Sequence, residues 1–171
     1  MQHLPNFLTI IRIILIPVYL YYFISGNYFF AGIIFLLSVS TDFFDGFIAR
    51  KYNLISKIGR LLDVFADKLT IISILLALVI RGIIPKSIAI IILSREIFLL
   101  IGGLIVYKKD LDVIRPSKLG KISVLLIYLA ISATLLKLGY IDIVLFYIAI
   151  PLNIISGLEY FITAFKKANI M

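Results

Sequence analysis

"TDFFDGFIARKYNLISKIGRLLDVFADKL", residues 41–69, places four carboxylates, Asp42, Asp45, Asp63 and Asp67, inside segments that otherwise read as apolar helix. A charged side chain at the centre of a bilayer costs about 2.5–3.5 kcal/mol on insertion scales, so four of them need something to hold them there. The rest of the chain makes the bilayer the relevant solvent. Of its 171 residues 63% are hydrophobic, and the mean hydropathy is +1.15, more than the core of a soluble domain of this length requires. The expected fold class is all-α, a polytopic membrane protein. Residues 1–171 form a single domain, because no hydrophilic block is long enough to fold separately.

Composition also narrows the chemistry. There is no cysteine, which removes disulfides and thiolate metal sites, and the lone histidine is His3. A metal would therefore be held by oxygen, which favours Mg²⁺, Mn²⁺ or Ca²⁺ over Zn²⁺. The formal net charge is +8, but the basic residues cluster between apolar runs. That pattern points to anionic lipid headgroups and phosphorylated substrates as partners, not to nucleic acid.

Apolar stretches of membrane-spanning length fall at 7–25, 28–49, 61–81, 86–107, 119–137 and 140–165, which predicts six transmembrane helices. Breakers separate them: Ser25-Gly26-Asn27, Gly82 with Pro85, Arg115-Pro116-Ser117, and Gly139. "MQHLPNFL" reads as a short interfacial helix or turn ahead of the first span. No cleavable signal is expected, because the first apolar run lacks a basic leader and continues past signal-peptide length. Arg50, Lys51, Lys57 and Arg60 follow span two, and Lys108, Lys109, Arg115, Lys118 and Lys121 flank the connection after span four. Lys166 and Lys167 follow span six, whereas the opposite connections carry only Arg81, Lys86 and Lys137. The positive-inside rule then sets both termini in the cytoplasm, with the aspartates at the cytoplasmic ends of spans two and three. The expected location is the plasma (inner) membrane.

On a helix, positions 42, 45, 46 and 49 share one stripe, and positions 59, 63 and 67 share another. Two antiparallel helices joined by a short basic loop can turn these stripes toward each other. Four converging carboxylates repel unless positive charge sits among them, most simply one or two divalent cations. Gly46, Ala49 and Gly59 leave room beside them, and Arg50, Lys57 and Arg60 are suited to phosphate oxygens. Metal plus phosphate-binding cations describe a phosphoryl-transfer site.

Asp42-x-x-Asp45-Gly46-x-x-Ala49-Arg50, eight residues, then Gly59-x-x-x-Asp63-x-x-x-Asp67 resembles the full signature of the CDP-alcohol phosphotransferase family at all eight defined positions. The resemblance implies a six-helix integral membrane enzyme that displaces CMP from a CDP-linked donor, usually CDP-diacylglycerol, by attack of an alcohol hydroxyl on the β-phosphorus. It implies that Asp42, Asp45 and Asp63 bind Mg²⁺ or Mn²⁺, with Asp67 completing a second metal position or acting as the catalytic base. It further implies that Gly46, Ala49, Arg50 and Gly59 bound the CDP pocket and that Asn6 contacts the nucleotide, although capping of the first helix is an equal reading of Asn6.

"PNFLTIIRIILIP" (5–17), "SREI" (94–97) and "SKLGKI" (117–122) are similar to the branch that contains phosphatidylglycerophosphate synthases and bacterial homologues of cardiolipin synthase. This implies glycerol 3-phosphate as the acceptor, with an inositol phosphate or phosphatidylglycerol as alternatives. Lys57, Arg60, Arg95, Lys118 and Lys121 are the candidates for acceptor binding. Val64 and Ser123-Val124 depart from that branch, which often has Pro and Lys-Thr at these places; the second departure bears on the choice of acceptor.

Rival readings attach to several residues. Aspartates paired with Arg50, Lys57, Arg60 or Lys68 in interfacial salt bridges would leave the intervening Gly and Ala unexplained. Lys68 can pair within the bundle, and the basic group after span four can lie against anionic lipid. Arg95 and Glu96, adjacent on a helix, are expected to point apart and find separate partners. Arg12 lies deep enough to need a partner. "YLYYF" and "NYFF" read as an interfacial aromatic belt, and Asn153, Ser156 and Gly157 read as helix-packing residues through which a homodimer could form. An intramembrane prenyltransferase would need a second acidic motif with helical spacing, which Asp110 and Asp112 lack. A divalent-cation transporter would need acidic character across the membrane, and little continues beyond Glu96.

Overall fold

The computed structural model describes the backbone of residues 4–51, 57–108 and 117–169, and the side chains of residues 9–41, 65–99 and 117–163. Among the described residues it contains six helices and no strand: α1 (Leu4–Ile24), α2 (Tyr28–Lys51), α3 (Lys57–Ile80), α4 (Lys86–Lys108), α5 (Lys118–Leu135) and α6 (Ile141–Asn169). Each matches one expected apolar stretch. Two ends differ. Residues 4–8 belong to α1 itself and not to a separate interfacial segment, since Pro5 stands in the first turn, where its missing N–H would have no intrahelical partner. Asn6 is thus inside the helix and does not cap it. α3 begins at Lys57, ahead of the expected span, and so takes in Lys57, Gly59 and Arg60.

Three helices stop by the same device. After α1 the N–H of Gly26 donates to Phe23 O and that of Asn27 to Tyr22 O; after α3 Gly82 donates to Val79 O and Ile83 to Leu78 O; after α5 Lys137 donates to Thr134 O and Leu138 to Ala133 O. This paired pattern satisfies the last carbonyls but requires a left-handed residue. Gly26 and Gly82 supply it at φ +80° and +67°. Lys137 adopts it at φ 54°, its ammonium 5.3 Å from the centre of the Tyr28 ring. A further carbonyl at the end of α1, Ile24 O, accepts a 2.6 Å hydrogen bond from Arg81 Nη2.

The chain forms two compact units: residues 1–83 with 131–139, and residues 84–130 with 140–171. In the first, α1 packs on α2 and α3 around Tyr19, Phe23, Ala31, Phe35, Ile71, Ile74, Leu75 and Leu78, all buried. Tyr19 ties the three helices: its ring meets Phe35 edge-on at 5.7 Å, and its hydroxyl lies 3.2 Å from Thr70 O and 2.6 Å from Ser73 Oγ. The aromatic-belt reading therefore fails for half of "YLYYF". Tyr19 and Phe23 are core, whereas Tyr21, Phe29 and Phe30 are exposed; positions four apart share the buried face. In the second unit α4 packs on α6, and Ile92, Ile127, Ala130, Phe146 and Ala149 are buried.

Large apolar side chains also cover the outside. On α6 alone Ile141, Val144, Tyr147, Ile148, Ile155, Leu158, Phe161 and Ile162 are about half exposed or more. Such a surface suits hydrocarbon as its solvent. Among the described residues, Lys118–Leu135 and Ile141–Thr163 are long and apolar enough to cross a membrane, and Thr9–Ile24 and Tyr28–Thr41 are shorter apolar helices. Pro17 and Pro151 lie inside α1 and α6.

Candidate functional site

The acidic signature is divided between two helices of the first unit. Asp42, Asp45, Gly46, Ala49 and Arg50 are in α2; Lys57, Gly59, Arg60, Asp63 and Asp67 are in α3. Both helices run unbroken through these positions, so the i, i+3 and i, i+4 spacings keep positions 42, 45, 46 and 49 along one stripe and 59, 63 and 67 along another. α1 packs against both helices and carries Arg12, which is buried at 1% exposure and engaged. The side chains of Asn6, Asp42, Asp45, Ala49, Arg50, Lys57, Arg60 and Asp63, like the surroundings of Gly46 and Gly59, lie outside the described residues.

Asp67 is described. It sits one turn after Asp63, and its Oδ2 lies 3.3 Å from Lys68 Nζ, with 26% of the Asp67 side chain and 15% of the Lys68 side chain exposed. That exposure decides its availability: a carboxylate with a quarter of its surface open can still meet a ligand, which a fully enclosed one cannot. The donor set as a whole, carboxylate oxygens without thiolate or imidazole, fits a hard divalent cation.

The second unit holds a different polar cluster, where α4, α5 and α6 meet. Arg95 and Glu96 are 6% and 1% exposed, and Arg95 Nη1 donates to Glu96 Oε1 at 2.6 Å. The expectation that these neighbours point apart is thus corrected. Both side chains are long enough to wrap round the helix, and in an apolar interior pairing with the adjacent residue costs less than leaving either charge unmet. Nη1 is the one guanidinium nitrogen of Arg95 that forms a hydrogen bond; Nε is buried without one.

The other arm of Arg95 points to the start of α5. Nη2 lies 2.9 Å from where a Cβ on Gly120 would stand. That first turn is capped by Ser117, whose Oγ accepts from Gly120 N at 3.1 Å, and Ser123 Oγ donates to Gly120 O at 2.9 Å. Lys118 and Lys121, on either side of buried Gly120, are exposed. A cation aimed at a helix N-terminus is opposed by the helix dipole, an arrangement that an anion would relieve. Of the five acceptor candidates, Arg95 meets α5 at Gly120, and Lys118 and Lys121 are exposed residues of the same first turn of α5. Lys57 and Arg60 are in α3, in the other unit.

Asn153 is the residue whose importance the sequence understated. It is fully buried, and neither its Nδ2 nor its Oδ1 has a hydrogen-bond partner. Its spacing to Ser156 and Gly157, i+3 and i+4, was the available signal that the three share a face. That face meets the Arg95 stem, whose Cγ lies 3.2 Å from where a Gly157 Cβ would stand.

The family model for CDP-alcohol phosphatidyltransferase matches residues 2–155. The CDP-diacylglycerol–glycerol-3-phosphate 3-phosphatidyltransferase of Rickettsia typhi is 37% identical over 140 residues, covering 80% of this chain and 78% of that protein. The protein of the same name from Bacillus subtilis is 34% identical over 151 residues, with 80% and 78% covered. A cardiolipin synthase (CMP-forming) of Streptomyces coelicolor is 36% identical over 104 residues, with 57% and 48% covered.

Proposed function

The chain belongs to the CDP-alcohol phosphatidyltransferase family, and we propose that it transfers the phosphatidyl group of CDP-diacylglycerol to a hydroxyl of glycerol 3-phosphate, releasing CMP and forming phosphatidylglycerophosphate. It is a transferase of phospholipid biosynthesis. The observation that carries the reading is the complete eight-position signature, Asp42 to Asp67, distributed over two continuous helices. The acceptor is supported by the relatives named for glycerol 3-phosphate that align over about four-fifths of both chains.

In this reading Asp42, Asp45, Asp63 and Asp67 hold Mg²⁺ or Mn²⁺, while Gly46, Ala49, Arg50, Gly59 and Asn6 bound the CDP group. The cation would neutralise the diphosphate and stabilise the departing CMP. The acceptor oxygen forms a bond to the β-phosphorus as the bond from that phosphorus to the CMP oxygen breaks. Asp67 takes the hydroxyl proton, and its partial exposure supports this reading. Arg95, Lys118, Lys121, Lys57 and Arg60 are the residues assigned to the acceptor phosphate. No covalent enzyme intermediate is required, which suits a chain without cysteine.

The six helices cross the plasma membrane with both termini and the aspartates on the cytoplasmic side, as the distribution of Lys and Arg supports. A homodimer within the bilayer is compatible with this arrangement. The test is CMP release by reconstituted protein given CDP-diacylglycerol, Mg²⁺ and each of three acceptors: glycerol 3-phosphate, an inositol phosphate and phosphatidylglycerol. Release with glycerol 3-phosphate is expected, and Asp67→Asn should lower kcat by about 100- to 10,000-fold, the span of general acid–base contributions. Release with another acceptor instead would move the reading within the family, and release with none would end it.

A further inference from the structure

Arg95 reaches the start of α5 only because two positions on neighbouring helices lack a side chain. Its stem passes α6 at Gly157, where a Cβ would stand 3.2 Å from Arg95 Cγ and 3.8 Å from its Cβ. Its head ends at Gly120 of α5, where a Cβ would stand 2.9 Å from Nη2 and 3.5 Å from the Cβ of Ser156. The first separation is tighter than ordinary side-chain contact, and the second is not tolerated without movement. Both glycines lie inside helices, where glycine is about 1 kcal/mol worse than alanine. Neither has a positive φ, so backbone conformation does not call for glycine at either place. What lies closest to both positions is the arginine.

We propose that Gly120 and Gly157 are positioning residues: they form a slot that carries the Arg95 guanidinium to the first turn of α5, with Nη2 left to bind the phosphate of the acceptor. The claim rests on the reading of Arg95 as an acceptor-phosphate residue and adds what holds it there. Three observations support it. The side chain is more than nine-tenths buried, its one hydrogen bond is made through Nη1, and Nη2 is turned toward a helix N-terminus, an orientation that an anion would stabilise. Glu96 fixes one arm of the planar fork and the slot fixes its path, so the remaining arm has a defined direction. A lysine cannot reproduce this, since it has one nitrogen where the fork has separate arms.

The experiment is a kinetic cycle on the full chain in proteoliposomes, with glycerol 3-phosphate as the varied acceptor. Gly120→Ala, Gly157→Ala and Arg95→Lys are measured singly, and each alanine variant also in the Arg95→Lys background. Alanine favours the helices, and thermal unfolding in detergent confirms that each variant is folded. Each single substitution is expected to raise KM for glycerol 3-phosphate about tenfold, the size of one hydrogen bond to a charged group, with kcat and KM for CDP-diacylglycerol unchanged. In the Arg95→Lys background the alanines should add nothing, as expected of residues acting through one group. Glycine variants that leave this KM at its original value while Arg95→Lys raises it would overturn the slot alone. So would alanine effects that multiply with Arg95→Lys or lower kcat and both affinities together. An Arg95→Lys variant with unchanged KM would overturn the acceptor reading of Arg95, and the slot with it.

Discussion

Two buried polar clusters are built from similar materials and handled in opposite ways. In the first unit the Tyr19 hydroxyl enters an apolar core with partners waiting. It is 3.2 Å from Thr70 O and 2.6 Å from Ser73 Oγ, Ser73 Oγ donates in turn to Thr70 O, and Thr70 Oγ1 donates to Ala66 O. In the second, Arg95 keeps a buried Nε without a hydrogen bond, and Asn153 buries a whole amide group with none. An unsatisfied buried polar group costs about 1–3 kcal/mol. The Tyr19 cluster meets its valences and holds helices together, whereas the cluster of Arg95 and Asn153 leaves several open, as Ser38 Oγ does in the first unit.

The sharpest way to break that contrast is to remove the Arg95–Glu96 ion pair of the second cluster. Glu96→Ala leaves the Arg95 charge enclosed and should cost about 3–5 kcal/mol, read as loss of unfolding free energy in detergent; a cost near zero would mean that the guanidinium escapes to water and is not held. Asn153→Leu probes the open valences directly. Replacing an unpartnered amide by a side chain of similar size should raise stability by about 1–3 kcal/mol while impairing turnover. A loss of stability would instead show the amide to be satisfied in the membrane. Tyr19→Phe, in the cluster that is complete, should cost about 1 kcal/mol, one ordinary hydrogen bond, and leave kcat and both KM values as they were. A kinetic effect there would erase the distinction.

Much of the fold was legible because hydropathy and helix punctuation speak locally. Six apolar stretches became six helices, and Gly26 and Gly82 stand at the left-handed caps that end α1 and α3. Lys137 shows where such reading stops: it takes the same left-handed position after α5, and nothing in its residue type announces this. The aromatic run around Tyr19 was misread for a related reason. Composition says that aromatic residues suit a membrane interface, but which of them face inward depends on helix phase and on the partner across the contact. Arg95 and Glu96 were misassigned because helical spacing describes where Cβ atoms point, whereas long side chains choose their ends by the cost of isolation.

The sequence by itself set the expected chemistry: four carboxylates at helical spacing, small residues between them, no cysteine and a single histidine point to an oxygen-bound cation and phosphoryl transfer. It also determined the helices, since each apolar run must satisfy its own backbone in a solvent that cannot. Only the tertiary structure decided which polar residues share an enclosure. The route of Arg95 past Gly157 to Gly120 joins residues far apart in the chain, and no local pattern encodes it. The physical reason is that burial and the distance between side chains are properties of packing, which arise when helices distant in sequence exclude solvent from one another.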